Sequence, residues 1–331
     1  MKKITAVLPT IGRMQYLDVA IESLIKQSKP FDEIIIFDNS LEQKVDTISR
    51  FGRNNFVKFI RSGKQLAPVD SWNNAVRSAS NEYVTIIGDD DVLLPNYCES
   101  IHEILKNSEV GILKAYSIDE NGKEKSRLLY PNKKKVTDKD FRKLRFFSQL
   151  ALFVPGIVFK KRLFLNIEGF KNTYMDGLAY SDELLLTQLS FLCGNVALSE
   201  KICWHYRIHS GQIGGVKDIS DYVDKAEGYV ELFEKSLMSL GASRREIYND
   251  FTRQDYLDKV CRFGITNFSG YIGKNGNIIT LIRSLFKYCF LDSRISLGCK
   301  FMTIALSFKS FFRWTPVGKI LKKIYDAKKN I

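Results

Sequence analysis

Tyr83-Val84-Thr85-Ile86-Ile87-Gly88-Asp89-Asp90-Asp91-Val92-Leu93-Leu94-Pro95 is the stretch on which the reading of this chain turns. A run of β-forming residues passes through a glycine into three consecutive aspartates. Adjacent carboxylates repel one another, so a fold that keeps three together must give them cations, hydrogen bonds or open water. A hard divalent ion takes oxygen ligands, and Mg²⁺ is typically held by one or two carboxylates together with phosphates. The stretch therefore reads either as a strand end holding a metal and a diphosphate, or as an acidic surface turn.

Working outward, Ile4 to Leu8 is a short β-rich run closed by Pro9-Thr10, with Gly12 and Arg13 beyond it. Leu17, Ala20, Ile21, Leu24 and Ile25 follow at helical spacing. Glu33 to Phe37 is a second apolar run, ending at Asp38-Asn39-Ser40, and a helical segment is expected in the forties. Phe56 to Ile60 is a third strand, and Asp70 is a candidate cap for a helix carrying Trp72, Ala75, Val76 and Ala79. Apolar runs that do not alternate, interleaved with helices, point to an α/β fold with a mostly parallel central sheet. In such sheets ligands bind beyond the carboxyl ends of the strands. Thr10, Arg13, Asp38 and Asp89 to Asp91 all follow strand ends, which favours the functional reading of the aspartates.

Further on, Asn96 to Lys106 reads as a helix and Val110 to Ala115 as a strand. The basic stretch 121–143 reads as a solvated loop. Lys161 to Gly169 reads as a short helix with a glycine stop, and Ser181 as the cap of a helix stopped by Gly194. Val196 to Leu198 and Ile202 to Tyr206 read as two short strands, followed by a glycine-rich loop from His209 to Gly215. Beyond about residue 220 strand signals give way to helical ones, so the boundary is set at 217/218.

The chain has 331 residues and a formal net charge of +13, which favours anionic partners such as nucleotides or an acidic membrane surface. No nucleic-acid motif accompanies the charge. Six cysteines form no CxxC pair, which argues against a zinc site of that kind and suits a reducing cytosol. The apolar run at the start breaks too early for a signal peptide, and no uncharged run is long enough for a transmembrane helix.

Pro9-Thr10 with Arg13, Phe37-Asp38-Asn39-Ser40, Trp72-Asn73 and Gly88-Asp89-Asp90-Asp91 together resemble, in order, the signature of family-2 glycosyltransferases with the GT-A fold. Gly156, Glu168-Gly169-Phe170, Asp182-Glu183 and Tyr206-Arg207-Ile208-His209 continue it over about the first 215 residues. The helical tail is similar to that of bacterial members building O-antigen or capsule polysaccharide. The resemblance implies inverting, metal-dependent transfer of a sugar from a nucleotide-sugar, usually UDP-linked, with Mg²⁺ or Mn²⁺ on the diphosphate. It implies that Thr10, Arg13, Asp38 and Asn73 line the nucleotide-sugar pocket. Asp89 and Asp91 become the outer members of an Asp-x-Asp motif and metal ligands, with Asp90 left to solvent or the ribose. His209 becomes a late metal or diphosphate contact. Asp182 becomes the base for an acceptor hydroxyl.

Against these stand plainer readings. Asp-Asn-Ser is good turn chemistry in its own right. A helix N-terminus favours Asp182 whatever it does, and it lowers a carboxyl pKa, which does not help a base. The family has Glu-Asp where this chain has Ser181-Asp182-Glu183, which keeps Glu183 as an alternative base. His102 and His205 read as structural. The tail from Ile278 to Lys329 mixes apolar residues with lysines and arginines, as in a basic helix on an anionic membrane, or in a bundle with a solvated basic face. The resulting expectation is a glycosyltransferase on the inner face of the cytoplasmic membrane with a saccharide or polyprenyl-diphosphate-linked acceptor. A nucleotide-sugar- or carbohydrate-binding protein without catalysis is the alternative.

Overall fold

A computed structural model describes residues 2–40, 55–173, 175, 180–209, 221–274, 278–286 and 292–314. It divides into two compact units, Met1–Asn172 with Tyr180–Gln212, and Thr173–Ala179 with Ile213–Ile331. The boundary expected at 217/218 and the helix expected in the forties lie outside the described residues.

The first unit is built on a sheet of β1 (Ile4–Thr10), β2 (Glu33–Asp38), β3 (Val57–Arg61), β4 (Tyr83–Ile86), β5 (Val92–Leu93), β6 (Val110–Asp119), β7 (Glu124–Arg127), β8 (Lys135–Thr137), β9 (Ile157–Lys160) and β10 (Asn195–Ile208). Its order is β3-β2-β1-β4-β9-β6-β10-β5, with β7 on β6 and β8 on β10. β3, β2, β1 and β4 pair in parallel, and β6 pairs in parallel with β10. β9 enters antiparallel between β4 and β6, so β6 runs the same way as β4. This is the mostly parallel sheet expected from the apolar runs. β2 and β4 are buried along their whole length because both faces of such strands are covered.

The flanking helices are α1 (Met14–Ile25), α2 (Pro68–Ser78), α3 (Tyr97–Ile104), α4 (Asp138–Phe146), α5 (Lys161–Asn166) and α6 (Ser181–Cys193). α1 buries Leu17, Ala20, Ile21 and Leu24, the spaced apolar face of its sequence. α2 starts earlier than Asp70 suggests. Pro68 takes the first turn, where its missing N–H costs nothing, and Asp70 lies inside that turn without capping it. Ser181 is likewise not a cap. The residue before α6 is Tyr180 at φ 65°, and the Ser181 hydroxyl instead donates to the Lys171 carbonyl at 3.0 Å.

Two stretches fold differently from their reading. Residues 121–143 are not a loop but carry β7, β8 and the start of α4. β8 buries only Val136 between two exposed residues, and α4 buries only Phe141, so neither leaves a clear apolar period. The two strands read after residue 195 are one, β10. Exposed Glu200 and Lys201 break its apolar run, and the chain absorbs them as register shifts between Leu198 and Trp204.

The second unit contains α7 (Tyr222–Met238), α8 (Arg244–Ile247), α9 (Arg253–Lys274), α10 (Ile278–Leu285) and α11 (Leu297–Trp314). Its core includes Tyr229, Phe233, Val260, Cys261, Ile265 and Phe268. A Cβ on Gly264 of α9 would fall 1.9 Å from the Tyr222 ring, so glycine permits α7 to lie close against α9. Among the described residues no helix is long and apolar enough to cross a membrane.

Candidate active site

β1 and β2 run side by side with Thr10 opposite Asp38, and β4 pairs with the other edge of β1. Their carboxyl ends therefore bring Thr10, Asp38 and the Gly88–Asp91 turn to one rim of the sheet. Gly12, at φ 81°, turns the chain out of β1 in a conformation that favours glycine, and its N–H donates to the Thr10 hydroxyl at 2.9 Å. Arg13 follows, immediately before α1.

The three aspartates are buried, at 1%, 9% and 2% exposure for Asp89, Asp90 and Asp91. Asp89 is fully engaged. Thr10 Oγ donates to its Oδ2 at 2.6 Å, and Arg13 donates to its Oδ1 through Nε at 2.9 Å and also through Nη2. Asp90 is the hub of the cluster, not an outlying residue. Its Oδ2 lies 2.8 Å from Arg13 Nη1 and 3.0 Å from His209 Nε2. Asp91 Oδ1 accepts the Arg207 backbone N–H at 2.9 Å, and its Oδ2 has no hydrogen-bond partner among the described residues. Gly88 makes room for this packing, since a Cβ there would meet Asp91 Oδ2 at 2.6 Å and Asp90 Oδ1 at 2.8 Å.

The cluster is short of positive charge. Burial raises the Asp89 pKa, with the Arg13 guanidinium opposing it. Burial, followed by the neighbouring Asp90 charge, pushes Asp91 well above the usual carboxylate range, and the Arg207 N–H offsets only part of that. A cation beside Asp91 would reverse the imbalance, which fits the divalent ion implied by the sequence. Asp91 and Asp90 would hold it, with His209 beside Asp90, while Asp89 is already committed to Arg13 and Thr10. Among the described residues no three His, Cys, Asp or Glu side chains are grouped as a complete metal site.

The motif names Arg207 without a role, and the structure supplies one. Arg207, buried at the end of β10, donates through Nε to the Asp90 carbonyl at 2.8 Å, and through Nη1 to the Asp119 and Glu120 carbonyls at 3.2 and 3.0 Å. Its guanidinium carbon lies 4.8 Å from the centre of the Tyr16 ring, which in turn packs 5.0 Å from the His209 ring. The available signal is spacing: Arg207 and His209 stand two apart at a strand end and so share a side. The other histidines lie apart from the cluster. His102 is in α3, where burial lowers its pKa, and His205 is half-exposed on β10 rather than a core residue.

Asp38 makes the turn its sequence expects. Its Oδ1 accepts from the Ser40 N–H at 2.9 Å and the Ser40 hydroxyl at 2.6 Å, as the turn chemistry expects, while Oδ2 lies 3.7 Å from Arg61 Nε. Asn73 is placed differently. Its amide donates to the Phe170 carbonyl at 3.0 Å and accepts the Phe170 N–H at 2.9 Å, so it braces the Glu168–Phe170 turn. Gly169 sits in that turn at φ 81°, and a Cβ there would come within 2.3 Å of Asn73 Oδ1.

Asp182 and Glu183 begin α6, and the structure separates them. Glu183 is buried and its Oε2 accepts from Arg145 Nη2 at 2.7 Å. Asp182 keeps partial contact with solvent, and its Oδ1 accepts the Glu183 N–H at 2.7 Å. The protein packed around the Asp182 carboxylate raises its pKa to about 6. Arg145 opposes the shift and Glu183 adds to it. Desolvation thus outweighs the helix terminus, which alone would lower the value. Asp182 makes no hydrogen bond or ion pair with the aspartate triplet among the described residues.

A mostly parallel sheet with an acidic turn at its strand ends and a helical region beyond is a GT-A-like architecture. Residues 5–159 match the family model "Glycosyl transferase family 2". Over 253 residues it is 24% identical to glycosyltransferase GlyG of Streptococcus pneumoniae, covering 71% of this chain and 79% of that protein. It is also 24% identical to the GalNAc(5)-diNAcBac-PP-undecaprenol beta-1,3-glucosyltransferase of Campylobacter jejuni, over 74% of this chain and 69% of that one. A shorter segment is 32% identical to the uncharacterized glycosyltransferase MJ1057 of Methanocaldococcus jannaschii and spans only 39% of it. The fold is similar to that of S. aureus TarS 1–349 in complex with UDP-GlcNAc, with a TM-score of 0.65 at 16% identity over 97% of this chain and 92% of that one.

Proposed function

We propose that this protein is a family-2 glycosyltransferase that carries out inverting, metal-dependent transfer of a sugar from a UDP-linked donor to a hydroxyl of a saccharide or lipid-linked saccharide acceptor, in surface polysaccharide synthesis. The observation that carries the reading is the acidic turn: a buried cluster short of positive charge at the rim of a parallel sheet, with one Asp91 oxygen open. The relatives support the substrates. TarS was solved with UDP-GlcNAc, and the Campylobacter enzyme is named for an undecaprenol-diphosphate-linked acceptor.

The chemistry is one displacement. An acceptor oxygen forms a bond to the anomeric carbon, the bond from that carbon to the phosphate oxygen breaks, and its electron pair leaves with UDP. The acceptor proton passes to the Asp182 carboxylate, which with a pKa of about 6 is ionised at neutral pH and basic enough to take it. A bound Mg²⁺ or Mn²⁺ would stabilise charge on the leaving diphosphate. Asp91 and Asp90 would hold that ion, His209 would contact it or the diphosphate, and Arg13 and Thr10 would orient Asp89 beside it. Asp38 would accept hydrogen bonds from the uridine, with Ser40 fixing its carboxylate. Asn73 would shape that pocket through the turn it braces. Release of UDP from a panel of UDP-sugars, with and without Mn²⁺ and with lipid-linked saccharide acceptors, tests this reading. Metal-dependent transfer with one donor is expected; tight UDP binding with no turnover of any donor would instead establish a binding protein.

The basic tail supports attachment to an anionic membrane surface on the cytoplasmic side. α11 contains no acidic residue, and its Leu297, Phe301 and Met302 are exposed. The more basic stretch from Gly318 to Lys329 lies outside the described residues.

A further inference from the structure

Two adjacent carboxylates stand in the first turn of α6, and the Arg145 guanidinium reaches them from another element. Arg145, in the last turn of α4, donates from Nη2 to Glu183 Oε2 at 2.7 Å and from Nη1 to the Leu150 carbonyl at 2.5 Å. The second contact ties the guanidinium to the chain leaving α4. Glu183 is 5% exposed, so its charge is held in a largely dry setting. The Glu183 backbone N–H in turn fixes Asp182 Oδ1 at 2.7 Å. Arg145, Glu183 and Asp182 thus form one connected unit across α4 and α6.

Stability alone is a weak reason for this arrangement. Replacing a buried ion pair with apolar groups of similar volume is often neutral or stabilising. We propose that Arg145 is the positioning residue of the acceptor base: it engages Glu183 in an ion pair and leaves Asp182 as the one carboxylate of the two that exchanges a proton. This rests on the reading of Asp182 as the base. The charged side chains acting on Asp182 among the described residues are Arg145 from α4 and Glu183 from α6, with opposite effects. Arg145 therefore does two things. It neutralises the neighbour that would otherwise compete for the proton, and it keeps Asp182 ionised at neutral pH despite its desolvated setting.

The test is a titration of the full-length protein carrying ¹³C-carboxyl-labelled aspartate, followed by NMR, with the Asp182 resonance assigned by its disappearance in Asp182→Asn. The wild-type midpoint is expected at about 6. Arg145→Met should move it up by about one unit, as expected for loss of a nearby opposite charge. Arg145→Lys should return it toward the wild-type value. Glu183→Gln should move it down, and it supplies an independent reading should Arg145→Met fail to fold. An unmoved midpoint in a folded Arg145→Met protein, or in Glu183→Gln, overturns the proposal. Release of UDP from UDP-GlcNAc and other UDP-sugars by Asp182→Asn is measured separately. Undiminished turnover there would overturn the base reading, and with it the catalytic meaning of Arg145, whatever the titration shows.

Discussion

At the scale of one residue, the proposed role of Asp91 as a metal ligand sets function against folding. Its carboxyl is buried beside two others, and its folded pKa lies well above the usual range because of that burial. A carboxyl raised in this way contributes stability below its unfolded pKa, and the contribution is lost as pH rises through the folded value. The metal-free protein is therefore expected to gain stability in mild acid. Asp91→Asn should remove most of that pH dependence and raise Tm near neutrality in calorimetry, by roughly 2–4 °C per kcal/mol relieved. The same variant should lose metal-dependent sugar transfer; normal turnover in added Mn²⁺ would refute its assignment as a ligand. Asp182 gives the opposite kind of signal. In its proposed role as base, with a pKa of about 6, it loses activity as pH falls through that value, so kcat/KM should decline below about pH 6. Asp182→Asn should cut kcat by about 10²–10⁴-fold, with UDP binding retained in calorimetric titration.

At the scale of elements, the strands β1, β2 and β4 were legible and several of their contacts were not. β1, β2 and β4 stand out because covered parallel strands are apolar throughout. β8 shows one buried residue and β7 is a short hairpin strand, so both passed for a charged loop. The acidic turn was readable as a stretch, and its place at the sheet rim followed from the strand–helix alternation. Its internal wiring was not readable, since Asp90 meets His209 and Asp91 meets Arg207 across more than 100 residues of chain. The Asn73 brace spans 97 residues and was equally hidden behind a motif that pointed to the nucleotide. Asn73→Ala would leave the Phe170 N–H and carbonyl without their partners, at a cost of about 2–4 kcal/mol. Denaturant unfolding should register that loss. A variant that unfolds like the wild type but binds UDP poorly would instead assign Asn73 to the nucleotide.

For the whole molecule, the net charge of +13 is the dominant long-range property. Residues 315–331 include five lysines. Each adds about 1 kcal/mol of attraction near an anionic bilayer, and salt screens it. A chain ending at Trp314 should therefore co-float less with phosphatidylserine-containing vesicles than the full chain. The difference should shrink as salt is raised. Equal flotation of the two proteins would count against the tail as a membrane attachment.

The register shifts in β10 have a practical consequence for tolerance to insertion. The strand already accommodates irregularity between Leu198 and Trp204, where Glu200 and Lys201 face solvent, and it resumes regular pairing with β6 from Trp204 to Ile208. A short peptide tag placed between Glu200 and Lys201 would extend an existing bulge and leave Arg207 and His209 in phase with the aspartates. One residue added after Trp204 would exchange the two faces of the strand end. It would carry both side chains away from Asp90.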